Sequence, residues 1–557
     1  MIGVVIRPEQ SAVVEEFFQL FKTPWEIFQP GRAYDVVIAT ADDLPAVEAT
    51  PLMVFGSEIR RDDSPRGITG QTKRGGTLLR YGGTRVPIYG SVLVFDKAVD
   101  GTPFLEANGA ASGIKVESEQ GTVLRVGYDL FEEIESLLSS GQPIENAHFP
   151  TLDLHIAMLR DWILEVGVTF VEIPPAPAGK QFIVSLTHDI DFIGIRDHKF
   201  DHTMWGFLYR SSVVALHDFF RGRISFGRMV KIWRAAASLP LVYLGWAKDF
   251  WIPFDWYLEV EKNLPATYFF IPFKNRAGDK VSTCHAERRA TRYDVSDLGD
   301  WTKRLQDAGC ELGLHGIDAW HSVERGRTES ERIAGVSRGG GMGIRMHWLL
   351  RDENTYRVLE ESGFTYDSTD GYNETIGYRA GTTQVFRPLG RQTLLELPMH
   401  IQDGALFYAN RLDLSEDEAW KRCADMIDDA KKSGGVLTLL WHDRSHGPER
   451  FWGDFYERLV GKLRTMNVWF GSARQVVEWF RKRREVAFER NPSDGGTVQI
   501  KLRGPGGNIS PPLTLRVHSP ADADGRFRPA DVSWNGESEQ SVETLIRHAS
   551  LQPVMPQ

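Results

Sequence analysis

The stretch FIVSLTHDIDFIG, residues 182–194, decides the fold of this chain. A mostly apolar run passes straight into Thr187-His188-Asp189-Ile190-Asp191. Such a run reads as a strand covered on both faces, the kind used in parallel sheets flanked by helices. At a period of two, Asp189 and Asp191 point to the same side where the strand ends. Two neighbouring carboxylates repel unless a proton or cation lies between them, which suits one base and one metal ligand.

Further strands are expected downstream in ATYFFIPF (266–273), CELGLHGID (310–318), GIRMHWLL (343–350), FTYDSTD (364–370), LLELPMHI (394–401) and GVLTLLWHD (435–443). Helical patterns such as DVSDLGDWTKRLQDAG (294–309) and RDENTYRVLEESG (351–363) separate several of them. Repeated strand–helix alternation predicts an α/β architecture, a parallel barrel or doubly wound sheet over 181–485. Sites in such folds lie at the carboxyl ends of strands, where the polar residues of these segments gather.

Upstream, residues 1–150 alternate short apolar runs with polar connectors (MIGVVI at 1–6, PLMVFG at 51–56, VPIYGSVLVFD at 86–96) and predict an α/β accessory domain. The helical pattern TLDLHIAMLRDWILEV (151–166) and the proline-rich VEIPPAPAGK (171–180) make 151–180 a helix and linker. Residues 486–557 carry strand-like alternation with Gly and Pro at the turns, a small β module with a loose end at QPVMPQ.

Composition narrows the function. The chain has 557 residues, 42% hydrophobic and 25% charged, with net charge −10, ordinary for a globular protein and without the positive field of a dedicated nucleic-acid binder. Cys284, Cys310 and Cys423 are too few and too scattered for a disulfide framework or a four-thiolate zinc site. No window reads as a membrane span and the first residues do not read as an export signal, so a cytoplasmic protein is expected. Between Phe207 and Asp249, seven basic residues stand against two acidic ones, interleaved with aromatics. This basic, aromatic insertion (196–250) suits either a helical cover with a solvated basic face or a peripheral contact with an anionic membrane or lipid-linked glycan.

Four strand ends carry the candidate chemistry. Asp189 and Asp191 close the first. In ELGLHGIDAWHS (311–322), His315 and His321 are candidate metal ligands, with Asp318 competing, provided the residues between them form a loop. In GIRMHWLLR (343–351), Arg345 and His347 alternate on one strand, and an arginine there can hold a carboxylate base through paired hydrogen bonds. In GVLTLLWHDRSHG (435–447), His442 sits where a general acid is wanted.

In this order, T-x-D-x-D, strand-His, strand-Arg, strand-Leu-x-His, the chain resembles the polysaccharide deacetylases (carbohydrate esterase family four) over roughly Phe182 to Phe480. RMHWLLRDENTYRVLEESGFTYDST (345–369) and GYRAGTTQVFRP (377–388) are similar to a large branch of that family found among bacterial surface-glycan genes. The resemblance implies a distorted (β/α) barrel, one divalent metal, most often zinc, and removal of N-acetyl groups from a sugar or polysaccharide precursor. It implies Asp189 as base, Asp191 and His315 as metal ligands, Arg345 positioning the base and His442 as acid. His321 best matches the second histidine ligand, although the family's usual spacing is two residues shorter. His347 stands where the family more often has proline, and with Asp367 and Arg379 it is expected to line the substrate groove. Another amide or formamide substrate, or a silent glycan-binding protein, are the alternatives.

Overall fold

Every residue of strand β1 (Ile183–Ile190) is buried, as a parallel strand under helices requires. The computed structural model describes residues 1–44, 50–96, 101–118, 121–279, 286–491, 497–504, 508–521 and 529–551. Cys284 and the QPVMPQ end lie outside the described residues. The other strands of the central sheet are β2 (Ala266–Phe270), β3 (Glu311–Gly316), β4 (Met342–Met346), β5 (Phe364–Asp367), β6 (Leu395–Glu396), β7 (Ile401–Gln402), β8 (Val436–Leu440) and β9 (Trp469–Phe470). Their order is β6-β5-β4-β3-β2-β1-β8-β7, with β9 also beside β1, and every pairing is parallel.

The chain itself closes this sheet. β6 and β7 lie at opposite edges, yet only residues 397–400 separate them. Four residues reach no more than about 14 Å, so the edges must curl together. The link bonds on both sides: the Met399 N–H donates to the Asp370 carbonyl (2.9 Å) and the His400 N–H to the Thr438 carbonyl (3.2 Å). The result is the expected distorted (β/α) barrel.

Its interior is filled with side chains, as small barrels require. Tyr366 and Thr267 donate to Glu311 (2.7 and 3.0 Å), and the Arg345 guanidinium lies 4.7 Å from the Phe269 ring centre. The filling fixes Gly343, where an added Cβ would lie 1.9 Å from the Tyr366 ring. The helices are cut by local signals. Helix Glu416–Ser433 starts at a Ser415/Glu418 capping box and stops at left-handed Gly434 (φ 86°).

The first unit is a nine-stranded mixed sheet, parallel at one side and antiparallel at the other. Helix Thr151–Glu165, read from sequence as leading to a linker, packs into this unit's core through Leu152, Ile156, Leu159 and Trp162. The proline-rich segment is not a free tether. Phe170–Glu172 pairs with Leu513–His518 of the C-terminal region, and Ile173 to Pro177 are buried. The C-terminal region adds two antiparallel three-stranded sheets, one of them through Phe170–Glu172, and a helix, Val542–Leu551, that its Gly/Pro-rich pattern did not announce.

Between β1 and β2, the insertion folds as helices His202–Tyr209, Ala215–Phe220 and Phe226–Tyr243, joined at Arg210–Val214 by a π turn. They pack on a small cluster of Ile195, Met204, Phe207, Leu239, Val242 and Trp251. No helix among the described residues is long and apolar enough to cross a membrane.

Candidate metal centre and catalytic site

At the carboxyl ends of β1, β3 and β4, three side chains from separate segments converge. Strand pairing decides which. β3 and β4 run parallel with His315 opposite Arg345. His347, two residues past Arg345, therefore reaches the rim beside His315. His347 Nδ1 lies 2.9 Å from His315 Nε2, and Asp191 Oδ1 lies 3.3 Å from the former and 3.5 Å from the latter. Ligand atoms placed tetrahedrally about 2.0–2.1 Å from one zinc ion would stand roughly 3.3 Å apart.

The donors themselves suit a cation. His315 Nδ1 faces the Arg345 carbonyl at 3.0 Å, which fixes its tautomer and leaves Nε2 with a lone pair toward the cluster. Asp191 Oδ1 is buried and has no hydrogen-bond partner in the protein. Burial opposes a charge on Asp191, but His347 and His315 hold its carboxyl well below the usual range. Burial pulls His347 down, against the opposing pull of Asp191. Trp348 and Leu349 follow in left-handed backbone (φ 64° and 52°), turning the chain sharply away beyond His347.

His321 is elsewhere. Its Nε2 lies 3.3 Å from Asp318 Oδ1, and Asp318 also accepts the Asp279 N–H at 3.0 Å. The loop that would have brought both groups to His315 instead turns back on itself, and the cluster contains His347 in the place expected for His321.

Beneath the cluster lies Asp189, 2% exposed. Arg345 donates to Asp189 Oδ1 (3.1 Å) and is itself fixed by Thr187 Oγ1 (2.8 Å), the Ser368 carbonyl (2.9 Å) and Ser368 Oγ (2.8 Å). The other carboxylate oxygen stands 3.7 Å from His315 Nε2. Asp189 is thus held beside the cluster by a buried cation that has no freedom to move.

Across the rim, His442 Nδ1 bonds to Asp403 Oδ1 at 2.6 Å, and its backbone N–H donates to Asp403 Oδ2 at 2.8 Å. Ser445 donates to the same oxygen. Burial works against the imidazolium, but Asp403, aided by Asp191 and Asp189, pushes His442 up to about 10. No local signal in the sequence marks Asp403. It opens a five-residue helix after β7 in no recognisable motif, and only barrel closure brings β7 beside β8.

Two expected groove residues lie away from this centre. Asp367 is buried, accepts from Thr369, and sits beside Glu396; burial pushes its carboxyl up to about 6. Arg379 bonds to the Gly371 carbonyl (3.1 Å) and lies 3.7 Å from Asp370. Both brace the loop after β5, and neither borders the cleft above the cluster. That cleft, of ≈ 290 Å³, is lined by Asp191 and His347, by His202, Thr203 and Arg210 of the insertion, and by Trp348, Tyr408 and Arg444 among others.

No family model and no curated protein matches the sequence. Solved structures do match. Agd3, a carbohydrate deacetylase, is 9% identical over 97% of this chain and 99% of its own, with a TM-score of 0.37. A "probable polysaccharide deacetylase" from Pseudomonas aeruginosa PAO1 is 14% identical over 56% of this chain and 94% of its own, TM-score 0.32. The allantoinase Puue is 13% identical over 55% of this chain and 92% of its own, TM-score 0.31. The chain is similar to polysaccharide deacetylases.

Proposed function

We propose that this protein is a metal-dependent hydrolase that removes an N-acetyl group from a sugar or polysaccharide precursor. The observation that carries the reading is the cluster of Asp191, His315 and His347 beside Asp189, with His442 near enough to respond to the charges of Asp191 and Asp189. Asp191, His315 and His347 would hold a zinc-type ion, which when bound would supply an acidified water and an electrophile for the acyl oxygen.

The remaining steps belong to the protein. Asp189, oriented by Arg345, accepts the proton of the attacking water as the new C–O bond forms. The amide C–N bond then breaks, and His442 delivers its proton to the departing amine. Asp403 keeps the imidazole charged and aimed, the part a carboxylate plays behind a catalytic histidine elsewhere. The products are acetate and the free amino sugar. Acetate release from a panel of N-acetylated glycans, with and without chelator, tests this. No release from any member, or release indifferent to chelator, removes it.

The insertion is proposed to rest against an anionic membrane surface and so meet lipid-linked glycans. What supports this is its exposed Phe200, Trp205, Phe220 and Trp246 together with exposed Arg221, Lys231 and Arg234. Co-sedimentation with anionic liposomes that is unchanged on deleting 207–249 would end that reading.

A further inference from the structure

The cleft above the cluster has a wall of cations that form no ion pair among the described residues. Arg210 from the insertion, Arg288 and Arg289 from the segment before β3, and Arg444 from the loop after β8 all line it. Arg289 is fixed by the Ile317 carbonyl (2.7 Å), and Arg444 lies 3.8 Å from the centre of the Phe192 ring. Among the described residues, none of the four forms an ion pair, and Arg210 Nε is buried without a partner.

The nearby carboxylates stand outside ion-pair distance of these arginines. Asp443 accepts the Phe192 N–H (3.0 Å), Glu449 accepts the Trp251 indole N–H through one oxygen (3.3 Å) while its other oxygen is buried without a partner, and Asp191 belongs to the candidate metal cluster. Burial, and then repulsion from Arg450, push Arg210 down to about 10 and draw Arg444 down too, although Glu449 pulls both the other way. Guanidinium groups held in a half-buried cleft against one another cost free energy that an anion would offset.

Resting on the deacetylase reading, we propose that the substrate carries a phosphate or carboxylate within one sugar unit of the acylated nitrogen, and that Arg210, Arg288 and Arg444 hold it. Two features argue for closeness. The arginines and the ligands Asp191 and His347 border the same cleft. Its ≈ 290 Å³ is at the lower end of ligand sites, which run to about 300–1,000 Å³. Planar guanidinium groups also match the paired oxygens of either anion.

The test uses the full chain loaded with zinc and measures acetate release from N-acetylglucosamine, N-acetylglucosamine 1-phosphate and N-acetylmuramic acid. The expected result is a kcat/KM at least tenfold higher for one of the two anionic sugars than for the neutral one. The preferred anion identifies the group as phosphate or carboxylate. Arg210→Gln and Arg444→Gln should each shrink that preference at least tenfold, through KM, with zinc content and circular dichroism unchanged. No preference in the parent, or a preference that survives in both variants, overturns the proposal.

If no sugar releases acetate, the deacetylase reading fails by itself. The cleft is then judged by calorimetric titration with inorganic phosphate. Binding weakened at least tenfold by Arg210→Gln retains the anion site, whereas binding that is absent or unaltered removes it.

Discussion

Seventeen large apolar side chains are exposed among the described residues, and eleven of them lie between Phe200 and Trp246, on the insertion. Elsewhere in 181–485 only Tyr408, on the rim of the cleft, is so exposed. Both regions are rich in aromatics, so composition does not separate them. What separates them is the number of sides from which each element is covered. A barrel strand has two neighbours, a filled interior and outer helices, whereas the insertion's helices have the barrel on one side and nothing on the other. The barrel can hold charges buried and fixed, as with Arg345; the insertion presents its apolar side chains to solvent.

The comparison predicts large losses in the barrel and small ones on the insertion. Asp189→Asn should lower acetate release by about 10²–10⁴-fold while bound zinc, measured by elemental analysis, stays near stoichiometric. Joint loss of activity and zinc would contradict the separation of base from ligands. His347→Ala should abolish zinc binding, and His321→Ala should leave it intact; the reverse pattern would restore the ligand set expected from sequence alone.

Two tryptophans probe packing. Trp441→Ala, at a fully buried site, should cost about 3–5 kcal/mol in denaturant unfolding. Trp246→Ser, at a side chain 78% exposed, should change stability by no more than about 0.5 kcal/mol, with its effect confined to liposome binding.

A pH series sharpens the rim. His442 is raised from 6.5 to about 10, so the stability of its pair with Asp403 is fully present below pH 6.5 and is lost as pH rises through about 10. If its protonated form is the acid, activity should fall on the alkaline side near that value. Asp403→Asn should move that limb toward neutrality; an unmoved limb would remove His442 from the acid role.

The legibility of the site followed the range of each interaction. Asp189 and Asp191 could be paired from one strand because their alternation is local. Arg345 was visible for the same reason. His347 stands close behind Arg345 in the same segment, but its proximity to His315 depends on the register between two strands, which neither strand encodes by itself. Asp403 left no mark at all. The periodicity of Thr151–Glu165 marks a helix but not its place in the first core, since an apolar face does not name the surface it will meet.

By itself the amino-acid sequence settled the strand–helix alternation, the strand ends at which polar groups collect and the charge character of the insertion. All of these are properties of neighbours along the chain. Tertiary structure alone set His347 beside His315 and Asp191 while turning His321 toward Asp318, joined Asp403 to His442 and set the arginines around one cleft. Those choices depend on strand register and on the short link between β6 and β7, which brings together groups that are distant in sequence.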